Sequence, residues 1–502
     1  MLNRLFQWGQ PIFLLILFLG VQLPKQESFA DSLKQLPVVK SPENATAALC
    51  RNDLKTAIED IINRPEFKRS RWGILIQTLD NGDTLYSLDA EKYFLPASNV
   101  KLLTTAAVLL QFGSQFRIRT SAYGMGNVTN LETLQIVGKG DPSFTTEQLR
   151  DLVQQLKRQG IRKIKKVIVE NSYFKQTGTN PSWEWEDIFF SYGTSVNSLI
   201  LNENSVTLIV QPRQVGRTLK LGWSDSIAAR QWQIDNQTLT ISSEISEETV
   251  EINGFFGSSV LKIQGSLGFD AEPYTFNLSI VDPDRYFLES LLEVLVSEGI
   301  QVEKGEIVNQ FSDNLMENEL AFVESEPLAV LIQKTNQESN NLYAEALLQI
   351  LASQFNNITG TEAIAKKLTE LGVNPDGYVL VDGSGLSRHN LVTPEAIATT
   401  LRLMAQTPEA KIYQDSLAVA GASGTLAGRF KNTLIAEHLQ AKTGTLSGNS
   451  ALSGYLNLPG SQPLVFSIIV NQSNAPASNL RTAIDEIIVS ISHLKSCKNF
   501  SL

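Results

Sequence analysis

Ser98-Asn99-Val100-Lys101 places a hydroxyl and an amine three residues apart where an apolar helical run, Lys101 to Gln111, begins. On a helix that spacing stacks both side chains on one face, one turn apart. Partial burial and nearby cations lower a lysine's pKa, so its free amine can take a serine's proton near neutral pH. The serine's backbone N–H falls in the first turn, where unpaired donors can hold an oxyanion. The same four-residue pattern recurs at Ser172-Lys175, Ser259-Lys262 and Ser492-Lys495. Those copies lie in strand-like segments or at the end of the last helix, with no helix opening beneath them. The chemistry expected at Ser98 is covalent, with Lys101 as the base.

Lys442-Thr443-Gly444 occurs once, on an expected strand near the C-terminus, and Thr445 follows it. A lysine and hydroxyls on an edge strand suit a carboxylate, and Gly444 lets a substrate backbone come close. A second hydroxyl-amide pair, Ser-x-Asn, has four candidates: Ser195-Asn197, Ser312-Asn314, Ser339-Asn341 and Ser447-Asn449. Ser339 and Asn341 sit between two apolar helices, where a loop can push both side chains into a cleft. Ser312-Asp313-Asn314 lies in a polar stretch after a strand and is taken as a decoy. Of three histidines only His389 has Ser and Asp nearby. No Gly-x-Ser-x-Gly elbow accompanies it, so a histidine triad is not supported.

These groups need a scaffold. Leu54–Ile62 has helical spacing, and Trp72–Leu79 and Thr84–Leu88 read as strands across the turn Asp80–Asp83. From about 117 to 275 short β-rich runs alternate with turns, such as Thr207–Gln211, Leu239–Ser243 and Val260–Gln264, around one helix at Leu149–Gln159. Helices return at Tyr286–Glu298, Leu328–Thr335 and Asn341–Ser353. Gln440–Thr445, Ala451–Leu458 and Leu464–Asn471 read as strands before a last helix, about Asn479–Leu494. The two ends are expected to complete one antiparallel sheet covered by helices, an α/β (α+β) fold interrupted by a β-rich insertion. The expected organisation is a targeting segment over 1–30, a helix-and-sheet domain over 31–116 and 276–502, and the insertion over 117–275, in two small subdomains dividing near 205–260.

Composition excludes several classes. The 502 residues carry 42 Lys+Arg against 52 Asp+Glu, a net charge of −10, which argues against nucleic acid as a partner. Three His and two Cys leave little for a metal cluster, and no cofactor is expected. Arg4, the short apolar run Ile12–Leu23 and Ser28-Phe29-Ala30 read as a cleavable signal segment, too short for a spanning helix. An exported chain with no membrane span after cleavage is expected, in the periplasm or cell-wall space. Cys50 and Cys497, just outside the first and last helices, are expected to pair there.

The order Ser-x-x-Lys, Ser-x-Asn, Lys-Thr-Gly resembles that of penicillin-binding proteins and serine β-lactamases. Gly140-Asp141-Pro142, Trp183–Asp187, Ser339–Glu345, Asp382–Arg388, Ala441–Leu446 and Leu452–Tyr455 extend the likeness over roughly 51–495. So does the 241-residue separation of Ser98 from Ser339. The chain resembles the low-molecular-mass D-alanyl-D-alanine carboxypeptidases and endopeptidases with a large insertion after the first motif. The resemblance implies that Ser98 attacks the penultimate D-Ala carbonyl with Lys101 as base. It makes Ser339 the proton relay to the leaving D-Ala, and Asn341 the holder of the substrate amide. Lys442, Thr443, Gly444 and Thr445 would line the terminal-carboxylate site, and the N–H groups of Ser98 and Thr445 would form the oxyanion hole. Asp187 would meet the free amine of the stem-peptide side chain, with Arg388 as a cleft partner. The neighbours of Tyr192 depart from the family pattern. The implied partners are peptidoglycan stem peptides and, as covalent inhibitors, β-lactams. Two rivals are a β-lactamase-like hydrolase and a non-catalytic wall-binding or β-lactam-sensing protein. The second should have lost a Ser, Lys or Thr of the three motifs, and none is lost.

Overall fold

Two strands near the C-terminus whose every residue is buried set the architecture, because a strand with two apolar faces needs a layer on each side. The structure is a computed structural model that describes residues 51–494 apart from 128, 176–177, 244–248, 256 and 310–317. The signal segment, Cys50, Cys497 and the Ser312-Asn314 decoy lie outside the described residues.

The chain opens with α1 (Arg51–Ile62), β1 (Arg71–Thr78), β2 (Thr84–Leu88) and α2 (Val100–Phe112). It then leaves for the insertion, built from β3 (Arg119–Asn127), β4 (Asn130–Val137), α3 (Thr146–Arg158), β5 (Lys163–Glu170), β6 (Ser205–Gln211), β7 (Lys220–Trp223), α4 (Ser226–Ala229), β8 (Gln233–Ile241), β9 (Thr249–Gly254), β10 (Val260–Gly268), β11 (Tyr274–Ser279), α5 (Pro283–Ser297), β12 (Gln301–Val308) and β13 (Glu319–Glu324). Three sheets result, in the orders β12-β5-β4-β3-β13, β11-β6-β7 and β8-β10-β9. The expected limit at 275 is moved by this pairing. β12 runs parallel to β5, and β13 closes antiparallel on β3, so the excursion ends only where Ser325 N donates to Ile118 O. The insertion's largest sheet is mixed, containing the parallel run β4-β5-β12.

The return path is helical: α6 (Leu328–Gln337), α7 (Asn341–Ser353) and α8 (Gly360–Leu371), then the two-residue strands β14 (Tyr378–Val379) and β15 (Leu391–Val392), α9 (Pro394–Met404) and α10 (Ala410–Asp415). Helix starts follow local chemistry. Thr359 and Glu362 form a capping box on α8, and Thr393 caps α9 with Pro394 at its first position. β16 (Ala418–Val419), β17 (Leu439–Leu446), β18 (Asn449–Leu456), β19 (Leu464–Asn471) and α11 (Ala477–Ser492) complete the chain.

The central sheet has the order β16-β17-β18-β19-β1-β2 and is antiparallel throughout. Arg71 pairs with Asn471 and Thr78 with Leu464. Tyr455, Val465 and Ile469 join the core under α2 and α7–α9, while Leu456, Phe466 and Ile468 join the core under α1 and α11. In α2 every residue from Val100 to Leu109 is buried, and each such Leu contributes roughly 1.5–3 kcal/mol relative to exposure. The helix bearing Lys101 is therefore the axis of the domain. Among the described residues no helix is long and apolar enough to cross a membrane.

Candidate functional site

Ser98 lies in a 3-10 turn, Ala97–Asn99, that runs into α2. Ala97 has φ 49°, a left-handed conformation costly for a residue with a Cβ, so neighbours must hold it. Asn471 on β19 clamps Leu95 from both sides, its Oδ1 accepting from Leu95 N at 2.7 Å and its Nδ2 donating to Leu95 O at 3.0 Å. Asn99 Nδ2 donates to Ser453 Oγ at 2.8 Å. Two glycines press on the turn: a Cβ on Gly385 would sit 1.9 Å from Ala97 O, and one on Gly444 would sit 2.8 Å from Pro96 O. Gly385 also has φ +82°. The variant Gly385→Ala is expected to displace the turn, lowering Tm and slowing acylation of Ser98 by at least about tenfold, because small misplacements of reacting groups are costly. A melt and an acylation rate at wild-type levels would contradict this.

Lys101 Nζ is 3.1 Å from Ser98 Oγ, 2.6 Å from Asn341 Oδ1 and 2.6 Å from Ser384 O. The side chain is fully buried, and burial pulls its pKa down to about 7, against the opposing pull of Asp382 and Glu345. A lysine so placed is half free base near neutral pH, next to a partly exposed hydroxyl. The carbonyl it meets is aimed from behind. Buried Glu345 accepts from Gly383 N at 2.9 Å and Ser384 N at 2.7 Å, and burial raises its pKa to about 8. Asp382 accepts from Gly385 N, Ser387 N, Asn390 Nδ2 and Trp183 Nε1 at 2.6–2.9 Å.

Opposite Ser98 stands the α6–α7 loop. Ser339, at φ 60°, accepts from Lys442 Nζ at 2.8 Å. Lys442 also donates to Thr443 O at 2.8 Å and is fully buried; burial first, then the charge of Lys101, lowers its pKa well below the ordinary lysine value. Thr443 Oγ1 donates to Thr425 Oγ1 at 2.8 Å, while Gly444 is buried and Thr445 half-buried. β17 is second from the edge rather than the edge itself. Its outer neighbour β16 pairs only with Gln440 and Ala441, so from Lys442 to Leu446 that side has no strand partner among the described residues. Asn341 Nδ2 donates to Tyr192 O at 2.8 Å, which ties the insertion to the site.

Ser98, Lys101, Ser339, Asn341, Lys442 and Thr443 thus meet around one cleft. The competing patterns do not: Ser172 is bonded to Glu170, Asn197 to Asp284, and Ser492 to Val489 O within the last helix. His389 is exposed. Asp187 is half-buried at the rim, accepting from the Tyr192 hydroxyl; burial, then Glu184, raise its pKa to about 6. Arg388 lies near enough to Asp187 to oppose that rise, and its guanidinium meets Glu184 at 2.6 Å and Ser447 O at 3.4 Å. Glu345, Asp382, Ser384 and Thr425 were assigned no role from sequence. The Asp-Gly-Ser-Gly turn at 382–385 was the available signal, because an Asp two or three residues before such amides folds back on them. Among the described residues no cluster of His, Cys, Asp and Glu converges to hold a metal ion.

Comparison with known proteins shows the family and the fold. Residues 54–490 match the model of the D-Ala-D-Ala carboxypeptidase 3 (S13) family. A D-alanyl-D-alanine carboxypeptidase of an Actinomadura species is 31% identical over 461 residues, covering 87% of this chain and 84% of that protein. A penicillin-sensitive carboxypeptidase A of Dictyostelium discoideum is 28% identical, covering 87% of this chain and 91% of that protein. In fold, the crystal structure of penicillin binding protein 4 from Haemophilus influenzae matches with a TM-score of 0.75 at 23% identity, over 87% of this chain and 99% of that one. With the family model spanning nearly the whole described chain and its Ser-x-x-Lys lysine buried against the serine, the chain belongs to the D-Ala-D-Ala carboxypeptidase 3 (S13) family.

Proposed function

We propose that this chain is an exported serine D,D-peptidase that cleaves the terminal D-Ala-D-Ala bond of peptidoglycan stem peptides through an ester on Ser98, and that β-lactams acylate the same oxygen. The carrying observation is Lys101 Nζ, buried and 3.1 Å from Ser98 Oγ, with its pKa brought down to about 7. Ser98 Oγ attacks the carbonyl carbon of the penultimate D-Ala and gives its proton to neutral Lys101. The N–H groups of Ser98 and Thr445 hold the developing oxyanion. The proton passes by way of Ser339 to the leaving nitrogen as the C–N bond breaks and D-Ala departs. Water then attacks the ester, Lys101 takes its proton, and Ser98 Oγ is reprotonated as the shortened peptide leaves. Lys442, Thr443 and Thr445 bind the terminal carboxylate against the open side of β17, and Asn341 holds the substrate amide. Release of D-Ala from a pentapeptide ending in D-Ala-D-Ala tests the proposal. Its absence from folded protein, or rapid turnover of penicillin in place of a long-lived adduct, would refute it.

Asp187 is proposed to meet the amine of the stem-peptide side chain. A charge-assisted bond there contributes about 1.5–3 kcal/mol, so Asp187→Ala should cost amine-bearing peptides roughly 10- to 100-fold in kcat/KM. Penicillin acylation should stay within about threefold, since no amine is involved. The preference should also follow pH. With the carboxyl raised to about 6, it is ionised above that value, so the preference for amine-bearing peptides grows as pH rises through about 6 and fades below it. Equal losses on amine-bearing and amine-free peptides would remove Asp187 from this role.

A further inference from the structure

We infer that Glu203, at the tip of a left-handed turn in the insertion, is a positioning residue for Ser339. The inference rests on the proposed role of Ser339 as proton relay. Asn202, Glu203 and Asn204 take φ values of 50°, 57° and 46° in succession. Asparagine tolerates that region; a glutamate between two asparagines does so only where the surroundings fix the turn. They do so here. Asn204 O accepts from Ile280 N at 2.9 Å and from Thr194 Oγ1 at 2.8 Å, and Asn204 Oδ1 accepts from Leu201 N at 3.2 Å. Asn202 Nδ2 donates to Thr146 Oγ1 and to the Tyr286 hydroxyl, both at 2.8 Å. The turn is rigidly seated in the insertion's own core, and what it presents outward is one carboxylate.

That carboxylate bridges both sides of the α6–α7 connection. One oxygen pairs with Lys334 Nζ on α6 at 2.5 Å, and the other accepts from Asn340 Nδ2 at 2.7 Å. Asn340 is at the same time the cap of α7, its Oδ1 accepting from Tyr343 N at 3.1 Å. Its amide is therefore held at both ends, with the oxygen on the helix and the nitrogen on Glu203. The peptide so fixed joins Ser339, itself left-handed and facing Lys442, to Asn341, which faces Lys101. A shift of the backbone at Asn340 would strain both contacts and move Ser339 with it. Glu203 touches no reacting group in this arrangement; it sets the direction of the serine that does.

The test uses the full chain and two readouts, D-Ala release and penicillin acylation, with thermal melts to confirm folding. Asn340→Asp keeps the helix cap but sets a carboxylate against Glu203, and should lower kcat about tenfold with KM within about twofold. Adding Glu203→Gln puts an amide donor opposite the new aspartate, and the double variant should recover to within about threefold of wild-type kcat. Glu203→Ala in a Ser339→Ala background should cost no further activity. Failure of the double variant to recover, or an additive loss in the Ser339→Ala background, would overturn the inference. If the unaltered chain neither releases D-Ala nor is acylated, the proposed function falls and the inference with it. Normal turnover with a fully active Asn340→Asp variant overturns the inference alone.

Discussion

Lys101→Ala is expected to slow covalent labelling of Ser98 by a fluorescent penicillin about 10²–10⁴-fold near neutral pH, the range that a positioned general base supplies. The label should map to the peptide containing Ser98 and be absent from Ser98→Ala. The same lysine fixes a pH profile. Its pKa is depressed in the folded protein, so the free base that accepts the serine proton accumulates above about 7. Acylation should therefore rise with pH through about 7 and level off above it. Removing the amine also leaves Ser384 O and Asn341 Oδ1 without their buried donor, so a melt must accompany the rate. Labelling of Ser172, Ser259 or Ser492, or a rate that falls as pH rises through 7, would contradict the assignment.

Lys442→Ala is expected to lower kcat/KM for a peptide with a free terminal carboxylate by about 10²-fold or more, the scale seen when a preorganised electrostatic partner is removed. Burial and Lys101 both push Lys442 toward the neutral form; a carboxylate bound beside it opposes that pressure and favours the ammonium. The discriminating substrate is the same peptide with its C-terminus amidated. Wild-type protein should turn it over slowly, and Lys442→Ala should add little to that deficit. Equal losses on both peptides would mean that Lys442 acts only through its hydrogen bond to Ser339.

The parts of the site readable from sequence are those whose chemistry is local. Ser98 and Lys101 meet because three positions on a helix are one turn, and Lys442 and Thr443 are neighbours on one strand. Ser339 was separable from its competitors because only it lies between two apolar helices. What sequence could not supply depends on partners far along the chain. A limit at 275 falls short because membership of the insertion's largest sheet is decided by parallel pairing of β12 with β5 across α4, α5 and the six intervening strands β6 to β11. The Arg388–Glu184 ion pair was not legible either, because a rim side chain's partner is set by how the loops meet. Glu345 and Asp382 look like surface carboxylates, yet both are buried, because each is surrounded by backbone N–H donors.

The pairing of β1 with β19 has a consequence for how the molecule is made. Arg71 lies against Asn471, so adjacent strands of the central sheet are separated by almost the whole chain, while the insertion between them pairs its strands within itself. Contacts of high sequence separation form slowly, because loop closure must precede any gain from them. The insertion can therefore assemble early, and once formed it shortens the loop that the central sheet must close. Asn471, which clamps Leu95 beside the nucleophile, arrives with that last strand. Until β19 has docked, the turn that carries Ser98 lacks the clamp that Asn471 puts on Leu95.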